Sequence, residues 1–332
     1  MNKKSLSRLL RHTEIYLFGI LIILSLFLAI MNPKFLTLEN IFDLLRNNTF
    51  LGIVALGELV VLISGGIDVS FTAIATVAEY IMGVIISHYM FNNILVALLI
   101  PIPIGLLLGM INGLIVYFTK VHPVIITIST LNVFYGLLIF ITKGKWIYNF
   151  PMSFRKFAQI KLLTFTSANH IKYGLSVFTG FWIFIAIITW IILKYLPIGR
   201  KIYAIGGNLE AARRAGYNIF KTQLFVYSYI GLLAGVAGFV HAQLTQMIQP
   251  NAIVGRELEV LAAVVLGGAS VFGGSGSVIG VILGVLLIAI IKNGLILLRI
   301  PAYWHQVLMG LIIVIAAGIN AYQQKLSKKR GM

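Results

Sequence analysis

Apolar runs separated by short polar gaps repeat along almost the whole chain. Ile15–Met31 carries no charge, and the polar connection Asn32–Asn48 follows it. In that connection Pro33 ends the helix, and Leu38–Leu45 reads as a segment lying along a membrane interface. Phe50–Ser64 is apolar but short, since a helix needs about 20 residues to cross a bilayer. It stops at Gly65-Gly66-Ile67-Asp68-Val69-Ser70, and another apolar run, Phe71–Phe91, begins at once. Ile94–Phe118 and Pro123–Thr142 are further spans. The first is kinked by Pro101 and Pro103 and carries Gly105, Gly109 and Gly113 at the spacing of a close helix contact. Gly174–Leu193, Gln223–Val240, the short Leu261–Phe272, Gly280–Leu298 and Tyr303–Tyr322 complete the series. The pattern predicts an all-α integral membrane protein, one transmembrane domain over residues 1–332, with about ten membrane helices, two of them short or broken.

A glycine pair, a carboxylate and a serine between two short helices mark a break that is buried in protein or lies beside a cavity. Freed backbone groups are not tolerated against lipid. The alternative is an ordinary turn in which Asp68 or Ser70 caps the next helix. Leu266-Gly267-Gly268 interrupts a later run in a comparable place, which hints at two related halves with a pathway between them. On that reading Gly65, Gly66, Asp68, Ser70, Gly267 and Gly268 border the pathway, and the embedded Asn112 and Asn132 join them. Helix–helix hydrogen bonds account equally well for the two asparagines and for Gln243. Thr127, Ser129 and Thr130 either line the path or bond their own backbone.

Between the two groups of spans lies the longest polar island, GRKIYAIGGNLEAARRAGYNIFK at 199–221. Asn208 is placed to cap a short helix with Glu210 in its first turn, and Gly216 to stop it. Arg200, Lys201, Arg213, Arg214 and Lys221 put this loop in the cytoplasm. Either a partner docks on the helix, or the loop is solvated and only fixes orientation. The basic start, MNKKSLSRLLR, is followed by no small-residue cleavage site and reads as the flank of a retained helix. With Lys325, Lys328, Lys329 and Arg330 it holds both termini in the cytoplasm. The 143–173 loop is then external despite its own basic residues.

Composition narrows the function. At 59% hydrophobic and 11% charged, the chain is no ordinary soluble domain. The net charge of +17 sits in gaps between apolar runs and makes no continuous stripe. It fits anionic membrane lipid and orientation rather than nucleic acid. The absence of cysteine excludes disulfides, thiol catalysis and Cys-based metal sites. There is no GxxxxGK[ST], no HExxH and no nucleophilic triad, so neither enzyme activity nor a bound cofactor or metal is expected. Glu58, Glu79 and Lys292 lie within predicted spans, where a charge costs at least about 2.5–3.5 kcal/mol. Lys292 is near a helix end and can snorkel. Glu58, Glu79 and Asp68 would be the carriers if the chain were a proton-coupled secondary transporter, the alternative to a subunit driven from outside.

Four stretches carry a resemblance over nearly the full length: SGGIDVS at 64–70, IGGNLEAARRAGYN at 205–218, ELEVLAAVVLGGASVFGGSGSVIG at 257–280 and KNGLILLRIPAYWHQVLMG at 292–310. The chain resembles permease subunits of bacterial ABC importers of the ribose, xylose, arabinose and autoinducer-2 group. KVHPVIITISTL, TKGKWI and LRIPAYW look most like the autoinducer-2 permeases. The resemblance implies a ten-helix subunit in the bacterial cytoplasmic membrane, paired with a second copy or a close homologue. ATPase subunits holding ATP and Mg would dock below, and an extracytoplasmic substrate-binding protein would deliver a small sugar or sugar-like molecule. It also implies that Gly207–Gly216 is a coupling helix. Asn208 would cap it, Glu210, Arg213 and Arg214 would make polar contacts, and Ala211 and Ala212 would permit close approach. One departure is Ser70-Phe71-Thr72-Ala73, where the group commonly carries a Gly-Ser pair.

Overall fold

The computed structural model describes residues 13–90, 92–166 and 172–301, with scattered positions between 303 and 318. The basic start, most of the last expected span and the basic end lie outside the described residues. Helix α1 (Thr13–Met31) closes into a 3-10 turn (Pro33–Leu36) that begins at Asn32, whose side chain accepts from the Lys34 amide. Thr37 caps α2 (Leu38–Asn47), an amphipathic helix bent by 50° from α3 (Thr49–Ile63). Every residue of α3 is buried. A helix with no exposed face belongs in the core, and the other long helices pack on it directly or through one another. They are α4 (Phe71–Tyr89), α5 (Ile94–Leu99) with α6 (Pro101–Thr119), α7 (Pro123–Thr142) and α9 (Val177–Lys194), followed by α12 (Ile219–Thr245), α13 (Glu257–Leu266) and α14 (Val278–Leu297). Helix α8 (Met152–Phe157), strands β1 (Lys161–Thr166) and β2 (Lys172–Ser176), and helices α10 (Pro197–Gly207) and α11 (Leu209–Arg214) lie in the connections.

Each apolar run expected before residue 299 is helical, although the 261–272 run stops at Leu266 and its helix starts earlier, at Glu257. Seven described helices are long and apolar enough to span a membrane, counting α5 and α6 as one kinked span, or eight with α2 and α3 as one bent span. The expected count of about ten also includes the short α13 and the last span. Three details differ from the sequence reading. Helix α12 extends past both expected ends, because Asn218 caps it early and its polar last turn packs inside the protein. The 143–173 loop contains α8 and runs into an antiparallel hairpin, in which Phe165 stacks on Phe42 of α2 at 5.9 Å. The sixth span therefore starts at Val177, after β2. The island opens with α10, which Pro197 starts in the first helical position.

The four-spaced glycines of α6 meet a second glycine stripe on α12. A Cβ on Gly109 would lie 2.9 Å from the Gly231 Cα, and one on Gly105 3.0 Å from the Gly235 Cα. Backbone meets backbone along this seam, which is how membrane helices gain dispersion contact without a hydrophobic drive. Gly238 faces α4 instead, near Ala75 and Glu79. An isolated bridge pairs Ile147 with Ile248, placing the 143–173 and 246–256 connections at one end of the bundle. The 64–70 break, the island and the 273–277 loop share the other end.

Candidate functional site

Helix α11 stands at the surface as the sequence predicts. The Asn208 side chain accepts from the Ala211 amide at 2.9 Å. Gly216 ends the helix at φ +79°, a backbone region that suits glycine, with its amide donating to the Arg213 carbonyl at 3.0 Å. Glu210 and Arg213 pair at 3.2 Å, and their side chains are 64% and 59% exposed. Ala212 turns inward, whereas Ala211, Arg214 and Gly207 are exposed.

Immediately before this surface, α10 drives its C-terminal end into the bundle. Gly206 abuts the end of α3 and the 273–277 loop. A Cβ there would overlap the Ile63 carbonyl oxygen and approach the Gly274 nitrogen to 2.7 Å. The Gly274 amide donates to that same Ile63 carbonyl at 2.9 Å. Gly273 lies where its Cβ would come within 2.8 Å of the Gly65 Cα. Tyr203 donates its hydroxyl to the Gly276 carbonyl at 2.8 Å, and burial pushes that phenol above its ordinary range, so it stays a neutral donor. One short helix therefore touches the end of α3 and the 273–277 loop that follows the second interruption.

The interruptions are built alike. After α3, the amides of Ser64, Gly65 and Gly66 donate to Val60, Leu62 and Val61; after α13, those of Gly267, Gly268 and Ala269 donate to Ala263, Val265 and Val264. The offsets match residue for residue. Gly65 and Gly268 occupy the same left-handed position, φ +87° and +85°. The same offsets and a left-handed glycine, Gly216 at φ +79°, also end α11, so this ending is a general helix stop and not a sign of two related halves. The glycines themselves are packing positions: Gly66 abuts the Tyr227 hydroxyl, and Gly267 abuts Gly280 and Val281.

Beyond Gly66 the chain crosses a fully buried polar nest. The Asp68 amide donates to Glu58 Oε1 at 3.3 Å. Asp68 Oδ1 accepts from the Ser70 amide at 2.7 Å and the Ser70 hydroxyl at 2.6 Å. Asn112 Nδ2 on α6 donates to that hydroxyl at 2.6 Å. Thr127 on α7 donates to the Ile67 carbonyl at 3.2 Å and accepts from the Val69 amide at 3.3 Å. Asp68 thus does form a local turn ahead of α4, but in a buried break and not in a solvated turn. Glu58, Asp68, Ser70 and Asn112 come together; Asn132 does not. It is exposed on the outer face of α7, and its Nδ2 donates to the Ile128 carbonyl at 2.8 Å. Ser129 and Thr130 likewise bond the backbone of their own helix.

Glu79 is held elsewhere, its Oε2 lying 2.9 Å from Nδ1 of the buried His241 on α12. His241 lies just past Val240, where the expected span ends, and the longer α12 brings it to Glu79. Gln243 is buried, and neither amide atom has a partner among the described residues. Lys292 does not snorkel. Its Nζ lies 2.6 Å from Glu259 Oε1, and Arg256 approaches the other oxygen at 3.5 Å. The Glu259 side chain is 11% exposed, so Lys292→Met is expected to destabilise the protein by about 1–3 kcal/mol, with Lys292→Arg recovering most of it. Denaturant titration of the purified variants checks this.

The family model described as branched-chain amino acid transport system / permease component matches residues 40–317. The chain is 34% identical over 307 residues to the ribose import permease protein of Haemophilus influenzae, covering 91% of each chain. To the ribose import permease protein of Bacillus subtilis it is 36% identical over 299 residues, covering 89% of each. To the autoinducer 2 import system permease protein of Photorhabdus luminescens it is 31% identical over 298 residues, covering 89% of this chain and 86% of that one. No solved structure matches the chain.

Proposed function

The chain belongs to the family of branched-chain amino acid transport system permease components, and on that premise we propose that it carries a small sugar or sugar-like molecule inward as the membrane subunit of an ATP-driven importer. Ribose and autoinducer-2 are the candidates the relatives' names supply. The chain itself performs no chemistry; ATP and magnesium are bound by a partner ATPase. The other partners are an extracytoplasmic substrate-binding protein and a second copy or close homologue. Both termini and the 199–221 loop face the cytoplasm, and the 143–173 loop faces outward.

The observation that carries this reading is the continuity from α11 to the breaks. An exposed, well-capped helix bearing Glu210, Arg213 and Arg214 is joined through Asn208 to α10, and α10 ends against Ile63, Gly65 and Gly274. A force applied to α11 reaches both interrupted spans within a few residues. Glu58 accepts the Asp68 amide, Asp68 accepts both Ser70 donors and Glu79 lies against the His241 imidazole, contacts that join segments of the bundle.

The test is retention of an ATPase subunit of the same transport system by the tagged permease. Arg213→Glu is expected to reduce retention about tenfold or more from a folded permease, and Glu210→Ala less so, since reversing a charge costs more than deleting one. Undiminished retention by Arg213→Glu removes the coupling role of α11. Uptake driven by a proton gradient with no ATPase present would move the function to the carboxylates.

A further inference from the structure

We propose that the cavity between α2 and the β1–β2 hairpin holds the headgroup of a membrane phospholipid that carries both a phosphate and a primary ammonium. The cavity has a volume of about 540 Å³, within the range of pockets that enclose a small organic group. Glu39, Phe42, Asp43 and Arg46 line it from α2, at the spacing that puts four side chains on one helix face. Lys161, Lys172 and Tyr173 line it from the hairpin. Its charges are unspent. Among the described residues no ion pair engages Glu39, Asp43, Arg46, Lys161 or Lys172. Arg46 Nε is buried and has no hydrogen-bond partner there. Lys161 Nζ donates to the Lys172 carbonyl at 2.6 Å, which ties that ammonium to the hairpin.

Two features select a lipid over a soluble ligand. The first is position at the edge of the membrane spans. Ser176, on the cavity wall, caps α9 by accepting from the Phe178 amide, and α2 leads through its 50° bend into α3. The second is the hairpin's apolar surface. Ile160, Leu162, Leu163 and Phe165 are exposed, and Leu162 lies against Gly180 of α9. Acyl chains cover such side chains where water does not. Charge then names the headgroup. Arg46 and Lys172 suit a phosphate, the guanidinium through paired N–H donors. Glu39 and Asp43, one turn apart, accept from an ammonium that has N–H groups to give. An anionic glycerol headgroup would leave the two carboxylates unanswered, and a choline headgroup carries no N–H. Three cations face two carboxylates, and the remaining positive charge is tolerated because Lys172, Glu39 and Asp43 are all exposed to water. Phe42 and Tyr173, with ring centres 6.4 Å apart, back the site with apolar surface.

The proposal needs only that the chain spans a membrane, so its test stands apart from the transport reading. Full-length protein in a mild detergent is titrated with short-chain phosphatidylethanolamine, phosphatidylcholine or phosphatidylglycerol, and followed by thermal unfolding and native mass spectrometry. The ethanolamine lipid is expected to raise the midpoint saturably by a few degrees, and to be retained at least about tenfold more than either of the others. Glu39→Gln combined with Asp43→Asn is expected to erase the preference for ethanolamine over choline. Arg46→Gln is expected to weaken retention of the ethanolamine lipid about tenfold. Should Arg46→Gln fail to fold, the double variant, whose two side chains are exposed, decides the matter. Equal retention of the three lipids overturns the proposal, as does an ethanolamine preference that the double variant leaves in place. Stabilisation by free phosphoethanolamine or by a monosaccharide, with no preference among lipids, also overturns it and assigns the cavity to a soluble ligand.

Discussion

Gly206→Val is expected to lower substrate transport about tenfold or more while leaving ATPase retention unchanged. A side chain at this position meets backbone, the Ile63 carbonyl and the Gly274 amide, and neither can rotate away as a side chain would. The end of α10 must back off from α3 and from the 273–277 loop. The Gly274-to-Ile63 hydrogen bond and the Tyr203-to-Gly276 hydrogen bond lie on the same contact and are strained with it. The α11 surface is untouched, so docking should survive. Gly207 provides the control: a Cβ there meets nothing within 4 Å, and Gly207→Ala should transport normally. Vesicle uptake and ATPase co-purification, measured on both variants, separate the outcomes. Normal uptake by Gly206→Val would mean that motion does not pass through this contact.

Gly231→Leu should prevent stable folding, at a cost of about 3 kcal/mol or more. Its Cβ would overlap the Gly105 carbonyl and sit 2.7 Å from the Gly109 Cα. The leucine would force α6 and α12 apart along the seam that Gly105, Gly109, Gly231 and Gly235 share. Gly113→Ala tests the gradient of this effect. Its Cβ would be 3.2 Å from the Tyr227 Cβ and 3.3 Å from the Leu224 Cα, a tight fit that a small helix shift absorbs. Gly136, with open space around it, should accept alanine without loss. Monodispersity on gel filtration and the denaturant midpoint rank the three variants. Equal stability of Gly231→Leu and Gly136→Ala would sink the seam as the organising contact.

Local signals in the chain were reliable wherever the physics was local. Asn208, Glu210 and Gly216 specify a cap, a first turn and a stop within nine residues, and α11 forms there. The stripe of Gly105, Gly109 and Gly113 announces a close contact, although only the fold shows that the partner stripe is Gly231 and Gly235. Features that join distant segments were harder to see. His241 follows an apolar run and looks like the start of a loop, while its partner Glu79 lies 162 positions away. Lys292 resembles a snorkelling lysine until α13 delivers Glu259. Asn112 and Asn132 are the same residue type, each on a membrane helix, and only the rotation of those helices puts one in the polar nest and the other on the outer face. The hairpin at 161–176 depends on Phe42 of α2 for its platform, which no pattern inside the loop contains. Helix α10 was hidden by its glycines, which disfavour a helix locally and are present because its end must pass so close to other backbone.

That single helix end has a consequence for timing. Because Gly206 packs both on Ile63 at the end of α3 and on Gly273 and Gly274 ahead of α14, a displacement of α10 presses on those two segments together. Spectroscopic labels placed beside Gly65 and beside Gly274 should therefore relax with one rate constant, since the two backbones share a single contact with the end of α10.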